Sequence, residues 1–401
     1  MTATLTGTVA PEIPVQWPAS LAPATLKVID LPTPYLATDL DVVAQRYAAF
    51  AAALPGVVTC YAMKCNPAPE ILRTLAGLGS SFEIASIAEL RTLQTLGIDP
   101  AGLLYSNPVK APAHIAAAYA AGLWRFSFDG PGELAKIAEH APGAAVYVRL
   151  RVDDSTSVFP LSRKFGTDIE DAYDLILLAR RLGLHPYGVT FHVGSQCGST
   201  AAWRAAIGAA GRLMSGLRTD GIELEMLDLG GGFPARYVGD VPSIEEIGAV
   251  VGTALDELLP YRPALLAAEP GRHLVAEAGV LAAAVIGREL RADGHWLYLE
   301  VGAYSGLMEV LQTPGGWDFP MWTSRPDHAD AAHVPYTITG PSCDSTDTIG
   351  YAVRLPATLT VGDVLYLGSA GAYTLSYASN FNGFQPPTPV FIGTGAPRAG
   401  Y

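Results

Sequence analysis

The amino-acid sequence predicts a (β/α)8 barrel followed by an antiparallel β domain, and three observations carry that reading. Eight short runs rich in β-branched and aromatic residues recur between positions 57 and 271, separated by Ala/Leu-rich segments of helical period. After Leu274 the texture changes to short strand-like runs broken by Gly and Pro. Ionisable and glycine-rich positions gather at the C-terminal ends of the eight runs, where barrels of this kind collect their active sites.

Taken in order, the first residues carry Pro11, Pro14, Pro18 and Pro23 and read as a loose tail. The stretch from Ala24 to Thr38 is expected to lend a strand to the second domain, so residues 1–37 are assigned there. The barrel is assigned to 38–275. Its strands are VVTCYAM from Val57, SFEIA from Ser81, LLYSN from Leu103, WRFSFD from Trp124, VYVRLRV from Val146, YGVTFHV from Tyr187, LEMLDLG from Leu224 and LLAAEPG from Leu265. Between them, Ile169, Ala172, Ile176 and Ala179 fall on one helical face, and Leu90 and Leu93 on another. Strands alternating with helices imply parallel βαβ units. Residues 276–401, with AVIGREL, HWLYLEVG, PYTITG, DVLYLG and TPVFIG, read as a β-sandwich or Greek-key-like domain.

Composition narrows the partners. The chain has 401 residues, half of them hydrophobic, enough for a large core and two domains. With 25 Lys+Arg against 38 Asp+Glu and no basic stripe, nucleic acid is not an expected partner. The N-terminus lacks a basic n-region and an apolar h-region, and no stretch reads as a membrane span, so a soluble cytoplasmic protein is expected. Cys60, Cys65, Cys197 and Cys343 lack metal-type spacing, which argues for reduced thiols and against a disulfide framework or a zinc site.

Reactive residues close the strands. Lys64 ends the first run in YAMKCNP, where desolvation would lower its pKa and favour a nucleophilic amine; it reads equally as a snorkelling lysine at the rim. Glu83, Asn107, Asp129 and Arg151 mark the next four runs, and His192 to Ser195 the sixth. Gly230 to Gly232, Gly194-Ser195 and Gly271-Arg272 form three glycine-rich turns on late strands. That pattern matches the phosphate region of such barrels, though each alone reads as a tight βα turn. Glu269 is a carboxylate in an apolar strand and needs a partner, either a pyridinium N–H or a structural Arg. His192 reads as a residue lying flat on a cofactor ring or as a hydrogen-bonded core histidine.

The ordered set YAMKCNP, FEIASIAEL, SNPVK, LSRKFG, FHVGSQ, LDLGGGFP, EPGR, GPSCDSTD, GAYT and FNGF resembles the ornithine and lysine decarboxylases of the alanine-racemase-like pyridoxal-phosphate (PLP) fold, from about Pro34 onward. The resemblance implies PLP carried on Lys64, with His192 stacked on the ring and Glu269 on its nitrogen. Phosphate contacts are implied for Ser195, Gly232, Gly271, Arg272 and the Tyr373 hydroxyl. Cys343 is implied as the proton donor to the substrate carbon and Asp344 as the ligand of the substrate's distal ammonium. Arg151 and Glu83 match positions near the cofactor, and Phe381 an aromatic lining the site. A homodimer with shared active sites is also implied.

The chain departs from the family pattern at two points. Glu83 stands where Asp is common. Val301 stands where eukaryotic relatives carry a second ammonium-binding Asp, with Glu300 the nearest acid. The implied reaction is decarboxylation of a basic L-amino acid, ornithine or lysine foremost, to a diamine. Arginine, a specialised-metabolite precursor and diaminopimelate remain alternative substrates, although diaminopimelate decarboxylases carry Glu after the Cys where this chain has Asp344. Racemases of the fold pair the ring nitrogen with Arg, not Glu. A non-catalytic homologue would have lost part of the cofactor set, all of which is present.

Overall fold

In a computed structural model, the structure describes residues 18–26, 31–313, 317–323, 325 and 331–394. The strands, in chain order, are β1 Tyr35–Asp39, β2 Val57–Ala62, β3 Ser81–Ile84, β4 Leu104–Tyr105, β5 Arg125–Phe128 and β6 Ala145–Leu150. They continue as β7 Ser157–Phe159, β8 His185–Phe191, β9 Ser195–Cys197, β10 Met226–Asp228, β11 Leu265–Ala268 and β12 Gly279–Arg291. The last are β13 Gly294–Leu299, β14 Met321–Thr323, β15 His333–Thr339, β16 Thr348–Pro356, β17 Val364–Leu367 and β18 Thr388–Ile392. The chain divides into two compact units, one of residues 43–234 and 241–274, the other of 1–42, 235–240 and 275–401.

The first unit is a closed parallel barrel in the order β10-β11-β2-β3-β4-β5-β6-β8, so each of the eight apolar runs supplies one stave. Burial on both faces explains why those runs are apolar throughout instead of alternating. Cys60, Leu104, Ala145, Tyr147, Tyr187, Met226 and Ala267 pack together in the interior. Helices cover the outside by their apolar stripes. Helix Ile169–Arg181 buries Ala172, Leu175, Ile176 and Ala179, and helix Ile87–Thr95 buries Ile87, Leu90 and Leu93. Helix Ile244–Leu258 starts on a capping box between Ser243 and Glu246. The short strands β7 and β9 form an antiparallel pair that the sequence reading did not contain, and Ser157 Oγ fixes it by donating to the Val193 carbonyl at 2.6 Å.

The second unit is a mainly antiparallel sheet. The expected strand before residue 38 is β1, lying antiparallel to β12 and parallel to β18. β12 pairs with three strands. Its first half, from Gly279 to Ala284, pairs with β1 and β17, and from Val285 onward, across an irregularity between Val285 and Gly287, it pairs with β13. Such a break bends a strand and lets it turn a corner between sheets. β13 and β15 run parallel, β15 and β16 antiparallel. Leu21, Leu26, Tyr35, Ala37, Val280, Ala282 and Tyr366 form a core cluster of this unit.

One carboxylate ties two of its loops. Asp347, 2% exposed, accepts from the Ala303 N–H at 2.8 Å and from the Ser342 N–H at 3.1 Å. Gly340 packs so closely that a Cβ there would lie 2.4 Å from both Asp347 oxygens. Asp347→Ala would leave both amides without an acceptor, and a lost hydrogen bond to a charged group costs about 1.5–3 kcal/mol. Its unfolding midpoint in denaturant is therefore expected to fall by the equivalent of about 3 kcal/mol, and an unchanged midpoint would remove Asp347 as the tie.

Candidate active site

The barrel mouth brings a lysine and several carboxyl groups together. Lys64 lies on the 3-10 turn Met63–Cys65 directly after β2, and its Nζ donates to Glu83 Oε2 at 2.5 Å. Glu83 is on the neighbouring β3 and 2% exposed, whereas the Lys64 side chain keeps 42% of its surface open. The extra methylene of Glu83 is thus spent in reaching Lys64. Burial alone would lower the Lys64 pKa, as the sequence suggested, but Glu83 and then Glu269 outweigh it and the net shift is upward. The bare lysine is held as an ammonium.

Glu269 follows β11 and is buried, and the Ser106 hydroxyl donates to its Oε1. Ser106 Oγ is also 2.8 Å from the Tyr147 hydroxyl. Desolvation, then Asp228 and Glu83, raise the Glu269 pKa well above the ordinary carboxyl range, with Lys64 and Ser106 opposing. Asp228 sits beside it on β10, accepting from Thr190 Oγ1 at 2.7 Å and from the Gly230 N–H at 3.0 Å, and desolvation raises its pKa too. Burial opposes the ionisation of both groups, and the Asp228 charge adds to the effect on Glu269.

The arginine serving this cluster is Arg149, not Arg151. Arg151 lies past the end of β6, where its Nη2 pairs with Asp168 Oδ2 at 2.9 Å, both side chains half exposed. Arg149 remains within the strand, on the face of Ala145 and Tyr147. The carboxylates Glu269, Asp129, Glu83 and Asp228 oppose the effect of burial on its charge.

His192 follows β8. Its Nδ1 accepts the Gly194 N–H at 3.0 Å, and desolvation, Arg149 and Lys64 push its pKa well below the usual value. The ring is neutral, with its proton on Nε2. The turn after β10 packs against it. Gly230 has φ +60°, and a Cβ there would sit 1.8 Å from the Phe191 carbonyl oxygen. Only glycine fits that turn. Ser195 on β9 and Arg272 meet nearby, with Arg272 Nη2 3.3 Å from Ser195 Oγ and its guanidinium 5.3 Å over the Phe159 ring. Gly271 packs against Ala62 and Cys65, and the Gly232 carbonyl accepts from the Cys197 N–H at 3.0 Å.

The other predicted residues belong to the second unit. Asp344 Oδ2 accepts from the Tyr304 hydroxyl at 2.8 Å, and its Oδ1 accepts from Thr346 through both the N–H and Oγ1 at 2.9 Å. These donors, the Thr346 amide foremost, hold the Asp344 pKa below its ordinary value. Cys343 is exposed, with Sγ 3.8 Å from Asn382 Oδ1. Phe381, on a 3-10 turn, sets its ring 4.7 Å from Tyr304. Tyr373 opens helix Thr374–Tyr377 with φ +60° and stacks on Tyr377 at 5.6 Å. Glu300 is committed to the fold, accepting the Ala284 N–H at 2.7 Å, and Val301 is fully buried. Ser106, Tyr147, Arg149, Asp228, Tyr304 and Thr346 were not singled out from the sequence. The available signal was a polar residue inside an apolar run, which Asp228 and Ser106 share with Glu269.

Chemically, the mouth suits a planar aromatic anion. A phosphate dianion fits Arg272, Ser195 and the glycine turns, a ring nitrogen bearing a proton fits Glu269, the neutral face of His192 fits the ring, and Lys64 fits an aldehyde carbon.

Comparison with known proteins agrees. Residues 40–276 match the pyridoxal-binding domain of pyridoxal-dependent decarboxylases. The chain is 37% identical to the lysine/ornithine decarboxylase of Selenomonas ruminantium over 90% of each protein. It is 34% identical to antizyme inhibitor 2 of Xenopus laevis, over 92% of this chain and 82% of that one. The crystal structure of a lysine/ornithine decarboxylase from Vibrio vulnificus, complexed with cadaverine, superposes with a TM-score of 0.84 at 31% identity, covering 92% of this chain and 98% of that one. With its barrel matched along nearly its whole length, the chain belongs to the PLP-dependent decarboxylases that act on basic amino acids.

Proposed function

We propose that the chain decarboxylates ornithine or lysine to the corresponding diamine and CO2, with Lys64 carrying the cofactor. The observation that carries this reading is the joint presence, in one barrel mouth, of Lys64 on Glu83 and of the buried Glu269 with its raised pKa. When bound, PLP supplies the electron sink that accepts the bonding pair left as CO2 departs. Glu269 holds the proton at the ring nitrogen and so keeps that sink deep. His192, neutral and oriented by the Gly194 amide, covers one ring face. Ser195, Gly232, Gly271 and Arg272 hold the phosphate with the Tyr373 hydroxyl. Arg149, in place of Arg151, is the arginine near the cofactor, offsetting the negative charge around Glu269.

On the substrate side, the Cys343 thiol returns a proton to the carbon that has lost CO2, Asp344 binds the distal ammonium, and Phe381 lines the aliphatic chain. Neither Val301 nor Glu300 offers a second free carboxylate, which favours a single-ended cation of ornithine or lysine size. The similarity to antizyme inhibitor 2, a relative named for something other than catalysis, favours a non-catalytic reading. Retention of Lys64, His192, Glu269, Arg272, Cys343 and Tyr373 weighs against it. A cytoplasmic site of action is part of the same proposal, in keeping with the free thiols of Cys60, Cys65, Cys197 and Cys343.

We further propose a homodimer in which each active site joins the barrel of one subunit to Cys343, Asp344 and Phe381 of its partner. Two-fold symmetry then makes two identical composite sites.

Three measurements test this reading. Lys64→Ala should abolish the borohydride-sensitive absorption of the PLP-loaded protein near the visible edge and lower diamine release by several orders of magnitude. Wild-type spectra and turnover in that variant would end the assignment. Asp344→Asn should lower kcat/KM for ornithine and lysine far more than for norleucine, since an unpaired pocket carboxylate penalises neutral side chains only while it is present. Equal losses would move the ammonium site elsewhere. Lys64→Ala and Cys343→Ala subunits, mixed under exchange, should recover about a quarter of wild-type activity, because about half the dimers are mixed and each of those carries one intact site. Confirmed exchange without recovery would put Cys343 in its own subunit's site.

A further inference from the structure

The second unit contains a hydrogen-bonded cluster whose purpose the reaction leaves open. Tyr304 lies in the short turn Ala303–Leu307, which is kinked at Gly306 (φ +156°). Its hydroxyl donates to Asp344 Oδ2 at 2.8 Å and lies 2.8 Å from Thr346 Oγ1. Its carbonyl is fixed by the N–H and Oγ of Ser379 at 2.8 and 3.0 Å, and its ring lies 4.7 Å from Phe381. Two other segments, around positions 344 and 380, therefore converge on Tyr304.

The distribution of donors on Asp344 is uneven. Oδ1 receives two hydrogen bonds, both from Thr346, and so has both lone pairs engaged. Among the described residues Oδ2 receives one, from Tyr304, and keeps one lone pair. An ammonium approaching this carboxylate can therefore be accepted with full strength at one oxygen and in one direction only. The other titratable side chains in this cluster are Tyr304 itself, Cys343 next in the chain, and Asp347, whose oxygens are engaged by the Ala303 and Ser342 amides. No Lys or Arg forms an ion pair with Asp344 among the described residues.

We propose that Tyr304, with Thr346, is a specificity-determining positioning residue that turns Asp344 into a one-edged acceptor for the distal ammonium of the substrate. This rests on the reading that Asp344 is the ammonium ligand. With Val301 apolar at the position of a second acid, direction replaces number as the means of recognition. A carboxylate free to rotate would accept ammonium groups at several depths, and a fixed one measures the distance from the reacting carbon. Tyr304 and Thr346 thus set the chain length accepted, without touching the carbon that loses CO2.

The test compares Tyr304→Phe, Thr346→Val, Thr346→Ser and Asp344→Asn in the PLP-loaded full chain, with ornithine, lysine and norleucine as substrates. Tyr304→Phe should raise KM about tenfold for whichever of ornithine and lysine the wild type prefers, leave kcat within about threefold, and narrow the ornithine-to-lysine preference. Norleucine kinetics should not change. Donors to a carboxylate favour its ionised form, so losing one raises its pKa, and the acid limb of kcat/KM should move to higher pH. Thr346→Val should do the same to a smaller extent, because the backbone N–H remains, and Thr346→Ser should restore wild-type behaviour. If Asp344→Asn discriminates against the cationic substrates while Tyr304→Phe and Thr346→Val leave KM, preference and acid limb unchanged, the positioning role is overturned and the ammonium site stands. If Asp344→Asn loses equally on norleucine, the ammonium reading itself has failed. Should Tyr304→Phe not fold, the Thr346→Val and Thr346→Ser pair decides alone.

Discussion

The constraint on which the barrel mouth depends is the burial of three carboxyl groups, Glu83, Asp228 and Glu269, beside two cations, Lys64 and Arg149. Buried charge is costly unless paired. Glu83 takes the lysine, Asp228 takes Thr190 and the Gly230 amide, and Glu269 is left with Ser106 and a raised pKa. The site thus holds in Glu269 an acid whose ionisation burial opposes and a protonated partner would favour. A cofactor that brings its own positive nitrogen relieves that imbalance, which gives a physical reason for this donor set to prefer a pyridinium.

The same economy of charge shapes the second unit. Asp347 and Asp344 stand three residues apart in one loop, yet their surroundings assign them different work. Asp347 is 2% exposed and spends its oxygens on the Ala303 and Ser342 amides, which fixes the loop. Asp344 is more exposed and remains an acceptor, its ionised form favoured by Thr346 and Tyr304. One carboxylate makes the frame and the other faces outward from it. The spacing of the motif CDSTD follows from that division.

Much of this was legible in the sequence, for a physical reason that also explains the failures. All eight barrel strands stood out because parallel strands buried on both faces are continuously apolar. The strands missed were β7, β9 and β14, at three residues each, and β16, which pairs with β15 and is buried at Ile349-Gly350 and Leu355-Pro356 but open between them, so that it shows neither continuous burial nor alternation. Lys64, His192, Glu269 and Arg272 were singled out from their positions at strand ends. Arg149 and Arg151 share the same parity, so alternation could not separate them, and what decided was that β6 ends at Leu150. The Lys64 pKa was misjudged because its partner, Glu83, lies nineteen residues away in the chain but one strand away in space. Tyr304 was passed over because its significance arises from residues forty positions later.

One feature of the second unit bears on how the molecule is made. Strand β1 finds its parallel partner β18 only across nearly the whole chain, with Tyr35 opposite Thr388, and its antiparallel partner β12 begins at Gly279. The barrel staves, by contrast, are drawn from one stretch between Val57 and Ala268. During synthesis, which proceeds at roughly 5–20 residues per second, β1 emerges before the barrel staves and waits some tens of seconds for β12 and β18. Pairings of such long range form late and leave strand edges exposed meanwhile. Strand β1 is thus a part of the nascent chain in need of protection, and the unit bearing Cys343 and Asp344 is completed after the barrel.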